Sequence, residues 1–174
     1  MSTPEQRAVL RRHVRRQHGV VSLAQARTAG LSADAVHRRV ASRAWWSAGP
    51  RVYLVGEHDE TPASRTWAAM LSLGEDAVLV GRPAAWWWGF LDVAPGFVEV
   101  AVGREHQPRA RDGVRPVRTT VAPVDRTRLR GLLVTTRAHP DLISVTRSAR
   151  SAAPVTEVSS PTPRGAPVRC GPGR

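Results

Sequence analysis

The chain has 174 residues, room for one ordinary domain or two small ones. All 26 of its basic residues are arginine, and against 14 acidic residues they leave a net charge of +12, which favours polyanionic partners and nucleic acid above all. The single cysteine, Cys170, excludes a disulfide framework and a cysteine-built zinc site; with no bilayer-length apolar run and no leader-like apolar region at the basic N-terminus, the expectation is a cytoplasmic protein with no membrane partner.

Residues Pro4 to Gln17 suit a helix, with Val9, Leu10, His13 and Val14 inward and Arg7, Arg11, Arg12, Arg15 and Arg16 outward. The stretch from Val20 to Val55 organises the chain. Ser22 with Gln25 three residues on is a capping box, and Gly30 ends the short helix that it starts. Ser32 caps the next helix, where Leu31 and Val36 are spaced as a hydrophobic staple. Helix, glycine-bearing turn, helix is the plan of the helix-turn-helix, whose second helix enters the DNA major groove. On that second helix Ala33, Val36, Val40 and Ala44 share the side expected to pack inward. Asp34, Ala35, Arg38 and Ser42 face away, flanked by His37, Arg39 and Arg43. The same pattern fits a solvated basic face, but a hairpin comes next: Trp45 to Ala48, Gly49-Pro50-Arg51, then Val52 to Val55. This reads as a wing with Arg51 at its tip, and Trp45, Trp46 and Tyr53 read as wing-to-helix core. The candidate DNA contacts are Ala35, His37, Arg38, Arg39, Ser42, Arg43 and Arg51, with Arg11 and Arg15 on the first helix as candidate phosphate contacts, where a solvated helix face is the equal alternative.

After an acidic connector, Glu57 to Glu60, a second unit begins. Thr61-Pro62 is an N-cap followed by proline at the first helical position, Trp67, Met70 and Leu71 line one face, and Gly74 closes that helix. Ala77 to Val80 is β-prone, and Arg82 to Trp88 reads as a helix ended by Gly89. Trp86, Trp87 and Trp88 point three ways on it, so at least one should meet a neighbouring domain or solvent. Phe97 to Val102, Val114 to Thr119 and Leu132 to Thr136 read as strands. The fold class is therefore α+β: a winged helix-turn-helix over 1–58, a small helix-and-sheet domain over 59–139, and a tail over 140–174. That tail is rich in proline, arginine and serine, with Pro140 read as interrupting a helix start, and its composition argues for disorder.

The segments RRQHGVVSLAQARTAGLSADAVHRRV, GPRVYLVG, TPASRTWAAMLSLGEDAVLVGRPAAWWWGF, FVEVAV and GLLVTT resemble the actinobacterial proteins related to AbiEi-type antitoxins of type IV toxin–antitoxin systems. The resemblance covers most of residues 7 to 138. It implies an N-terminal winged helix-turn-helix, a following antitoxin-like α+β domain and, in many relatives, a C-terminal domain of restriction-endonuclease-like fold. Two departures stand out. Relatives carry Ser-His-Arg-Ser where this chain has Val80, Gly81, Arg82 and Pro83, so only the arginine is kept. The leucine-rich helix that relatives continue into after Thr136 is replaced by Arg137 to Arg174, and a truncation or frameshift before the endonuclease-like domain is the expectation.

A restriction-type nuclease needs clustered carboxylates around a metal ion and, usually, a lysine. Lysine is absent and the acidic residues are scattered, Glu99 among them; neither a phosphate loop nor a nucleophile elbow is present. No active site, metal or cofactor is expected. The leading reading is a DNA-binding regulator that represses its own promoter, with double-stranded DNA as partner. The alternatives are a non-catalytic remnant of a nuclease-linked protein, and a protein-interaction module that counters a toxin through the tryptophan-rich unit, with a cognate toxin or its target as partner.

Overall fold

A computed structural model describes residues 3–56, 58–104 and 111–151, and they form a mixed α+β structure with two sheets. The chain opens with α1 (Pro4–Arg16), β1 (Val20–Ser22), α2 (Leu23–Thr28), α3 (Ala33–Ala41), β2 (Trp45–Gly49) and β3 (Val52–Val55). The local signals explain the helix starts. Thr3 and Gln6 form a capping box on α1. On α2 the Ser22 hydroxyl accepts from the Gln25 N–H at 3.1 Å while the Gln25 side chain accepts from the Ser22 N–H at 3.0 Å. Gly30, at φ +78°, reverses the chain, and the Ser32 hydroxyl then accepts from the Ala35 N–H at 3.1 Å to start α3.

The hairpin expected as two strands gains a third. β1 pairs antiparallel with β3, in the order β1-β3-β2. Val-Val of β1 and Val-Tyr-Leu-Val of β3 lack polar alternation because both faces of this sheet are covered. Val21, Trp45, Tyr53 and Val55 pack with Ala26, Val36 and Val40 of the helices on one side. Val20, Val52 and Leu54 join Trp67, Ala68 and Ala69 on the other. Four inward assignments are corrected. Val9 on α1 is exposed, as are Ala33 and Ala44, which lie at the two ends of the α3 region beyond the narrow apolar stripe. Trp46, one residue from Trp45, points to the opposite sheet face and is 48% exposed, so it is not wing-to-helix core.

α4 (Pro62–Leu73) is the centre of the larger core. Thr61 caps it in a box with Ser64, Pro62 sits in its first turn, and Gly74 at φ +107° ends it. Around it come β4 (Val78–Leu79), α5 (Gly81–Trp87), β5 (Val98–Val102), β6 (Val114–Arg118), β7 (Arg126–Leu129), β8 (Leu132–Thr135) and α6 (Pro140–Ser151). The second sheet runs β6-β5-β4-β8-β7, with β4–β8 and β5–β6 parallel and the other pairs antiparallel. Leu79, Val100 and Val134 face α4 and α5. Because β6 and β7 are opposite edges, the chain between them crosses the other face, where Val121 packs on Val78, Val80 and Ala101.

The range 140–174 does not begin as a tail. Pro140 is the first residue of α6, where its missing N–H breaks no helical bond, and Leu142 is fully buried in the larger core. The rest of the expected tail, 152–174, lies outside the described residues.

Candidate nucleic-acid interface

The capped α2–turn–α3 unit holds α3 by one fully enclosed side chain, Val36, helped by half-buried Leu31 and Val40. The remaining surface of α3 is free to carry charge. His37 and Arg38 are exposed on it, one and two residues after the Val36 anchor. Arg39 behaves differently. Its Nη1 donates to the Ala35 carbonyl at 2.8 Å and its guanidinium lies 5.7 Å from the Trp45 ring centre, so Arg39 and half-buried Ala35 are tied to each other and to the sheet.

α3 ends at Ala41, so Ser42 and Arg43 do not continue its outward face. Ser42 is the C-cap, with its hydroxyl donating to the Arg39 carbonyl at 3.2 Å. Arg43, exposed at φ +59°, makes the left-handed step that turns the chain into β2. Arg51 is exposed at φ +57° in the Pro50-Arg51 turn, and its carbonyl accepts from the Leu23 N–H at 2.7 Å. The hairpin tip is thereby fixed against the start of α2, in a hollow that the end of α4 also walls.

Arg7, Arg11, Arg12, Arg15 and Arg16 are exposed on α1, which buries no residue at all. Among the described residues the ion pairs are Arg65–Glu60 at 4.0 Å and His139–Asp141 at 3.8 Å, so no arginine of α1, α3 or the hairpin tip is neutralised by a carboxylate there. Burial, with the nearby Arg12 and Arg16 cations, holds the His13 imidazole below its ordinary value of 6.5. Sequence reasoning misses three further cations, Arg27 on α2 and Arg126 and Arg128 on β7, which border hollows around the end of α4. Their signal is weak, since Arg27 and Arg128 are single arginines between uncharged neighbours and Arg126 directly follows an acid, Asp125.

Among the described residues no group of three or more His, Cys, Asp or Glu side chains could hold a metal ion, and no helix is long and apolar enough to cross a membrane. The three tryptophans of the α5 region divide as their helical spacing requires. Trp87 is buried, with Nε1 donating to the Leu129 carbonyl at 3.0 Å. Trp88 donates to the Thr135 carbonyl at 3.0 Å and stacks near Phe90 under Arg137. Trp86 lines an open cavity of about 190 Å³ with Trp46 of β2.

No protein-family model and no curated protein matches the chain. Among solved structures it is similar to the crystal structure of the RV2827C protein from Mycobacterium tuberculosis, at 19% identity and a TM-score of 0.40. The match covers 72% of this chain and 49% of that one, so this chain spans about half the length of that protein.

Proposed function

We propose that residues 3–56 are a winged helix-turn-helix that binds duplex DNA, and that the protein is a non-enzymatic cytoplasmic regulator of the AbiEi antitoxin kind acting at its own promoter. One observation carries the reading. A capped helix–turn–helix, followed by a hairpin, presents His37 and Arg38 on α3 beside an arginine-covered α1, and no carboxylate among the described residues pairs with an arginine of either helix. In this reading Arg38 reaches a base edge, where arginine binds guanine O6 and N7 in a bidentate manner. Arg11, Arg15, Arg43 and Arg51 contact phosphates and set the register. Arg39 holds the base of the recognition helix against Trp45 and is a positioning residue.

The experiment is to select a preferred site from random duplexes and titrate wild type, Arg38→Ala and Arg51→Ala across salt. Arg38→Ala should lose roughly 1–3 kcal/mol at one sequence position and relax specificity there. Arg51→Ala should weaken every sequence alike and reduce the salt slope by about one unit. Equal, sequence-blind losses in both variants would remove Arg38 as a reader. The absence of salt-dependent duplex binding by the wild type would sink the regulator reading altogether.

A second reading has its own observation. Trp46 and Trp86, from opposite sides of the 58/59 division, open together on the 190 Å³ cavity, a place where an apolar side chain of a protein partner such as a toxin could insert. Binding of a partner that Trp86→Ala abolishes, with duplex binding intact, would support this role.

A further inference from the structure

Three surface hollows adjoin one another around the end of α4. The first lies between α2 and the hairpin tip and is bordered by Arg27 and Arg51. The second, bordered by Arg128, shares Gln25, Gly74 and Glu75 with it. The third, bordered by Arg126, shares Gly74, Glu75 and Ala77 with the second. Together they make one groove that starts at the proposed DNA-binding unit and continues onto the outer edge strand of the second sheet. Arg126 and Arg128 are two residues apart on β7, so both project from the same face of that edge. Four arginines thus stand along the groove against two acids, Glu75 and Asp76, and none of the six forms an ion pair among the described residues. A row of cations spaced over an open groove and left unneutralised matches a polyanionic strand rather than a single small anion.

We propose that this groove carries the sugar-phosphate backbone of the bound duplex, with Arg27, Arg126 and Arg128 holding phosphates beyond the reach of the helix-turn-helix. The second unit then widens the DNA footprint. This rests on the DNA-binding reading above and deepens it: the contacts are sequence-blind, so they add affinity and salt dependence without changing the preferred site. Glu75 opposes the same phosphates and sets the groove's affinity below its maximum.

The test is a fluorescence-anisotropy titration of the full chain on its selected duplex over a range of salt concentrations. The Arg126→Ala/Arg128→Ala double variant is compared with Arg115→Ala/Arg118→Ala, which removes the same charge from β6, the opposite edge of the same sheet. The groove variant should lose about two units of salt slope, at about 0.9 per phosphate contact, with its preferred site unchanged. The β6 variant should keep the wild-type slope, and Glu75→Gln should bind more tightly than wild type. Equal losses in both doubles would assign the effect to net charge and overturn the groove. An unchanged slope in the groove variant, with wild-type binding intact, overturns this inference alone; no duplex binding by the wild type overturns the parent reading with it.

Discussion

α3 and α4 are held in place by different physics. α4 buries six residues, among them Trp67, Ala68, Ala69 and Met70, and its two buried hydroxyls are satisfied within the helix: Ser64 donates to the Thr61 carbonyl and Thr66 to the Pro62 carbonyl, each at 2.8 Å. α3 buries one residue, Val36, and α1 buries none. What α1 and α3 have instead are side-chain caps and a small apolar anchor, which leaves most of each surface exposed, with Arg7, Arg11, Arg12, Arg15 and Arg16 on α1 and His37 and Arg38 on α3. A helix secured by area gives most of its surface to the core, whereas a helix secured at its start and along one narrow stripe leaves most of its surface outside.

This contrast can be tested from its strongest consequence downward. Trp87→Ala removes a fully enclosed ring from the larger core together with its hydrogen bond to the Leu129 carbonyl, so it should cost about 3–5 kcal/mol in a denaturant titration. A loss below about 1 kcal/mol would show that the larger core is not where stability resides. Val36→Asp places an unpartnered charge in the small core and should cost roughly 3 kcal/mol. If it folds as stably as wild type, the assigned inner face of α3 is wrong. Ser32→Ala removes the α3 cap and should cost about 1 kcal/mol, while Arg11→Ala on the exposed side of α1 should change stability by less than about 0.5 kcal/mol. A larger effect from the arginine than from the cap would invert the comparison.

The smallest effect is a pH dependence. His13 is held below 6.5 in the folded protein, so the unfolded chain binds the extra proton more readily. Its contribution to stability is present above 6.5 and is lost as pH falls through the folded value. The stability difference between wild type and His13→Gln should therefore shift in that direction between neutral and mildly acidic pH. A difference independent of pH would mean that His13 is as hydrated as in the unfolded chain.

Much of the first 56 residues is legible because their signals are local. Ser22-Gln25, Gly30 and Ser32 name helix ends by chemistry that acts within four residues, and the Pro50-Arg51 turn lies where its flanking apolar runs place it. The elements that sequence reasoning misses depend on distant partners. β1 is only three residues, run directly into the Ser22 cap, and exists because β3 lies beside it. β7, Arg-Thr-Arg-Leu, reads as loop because an edge strand with one wet face needs little apolar content; its turn, Arg130-Gly131 with both residues at positive φ, is the available signal. Pro140 looks like a breaker, yet the rule that favours proline in a first turn applies to it as it does to Pro62. For the site, spacing foretells the exposure of His37 and Arg38. It cannot foretell that Arg39 turns back onto Trp45, since that contact needs the hairpin in place.

The two-sided sheet also limits how the chain can be divided. Cutting it after His58 would strip α4 from one face of β1 and β3 and put Val20, Val52 and Leu54 into water together. At about 1.5–3 kcal/mol for each such side chain, the loss is comparable to the whole stability of many small domains. The helix–turn–helix segment is therefore not portable: grafted onto another protein, it would have to bring α4 with it or find a new apolar cover.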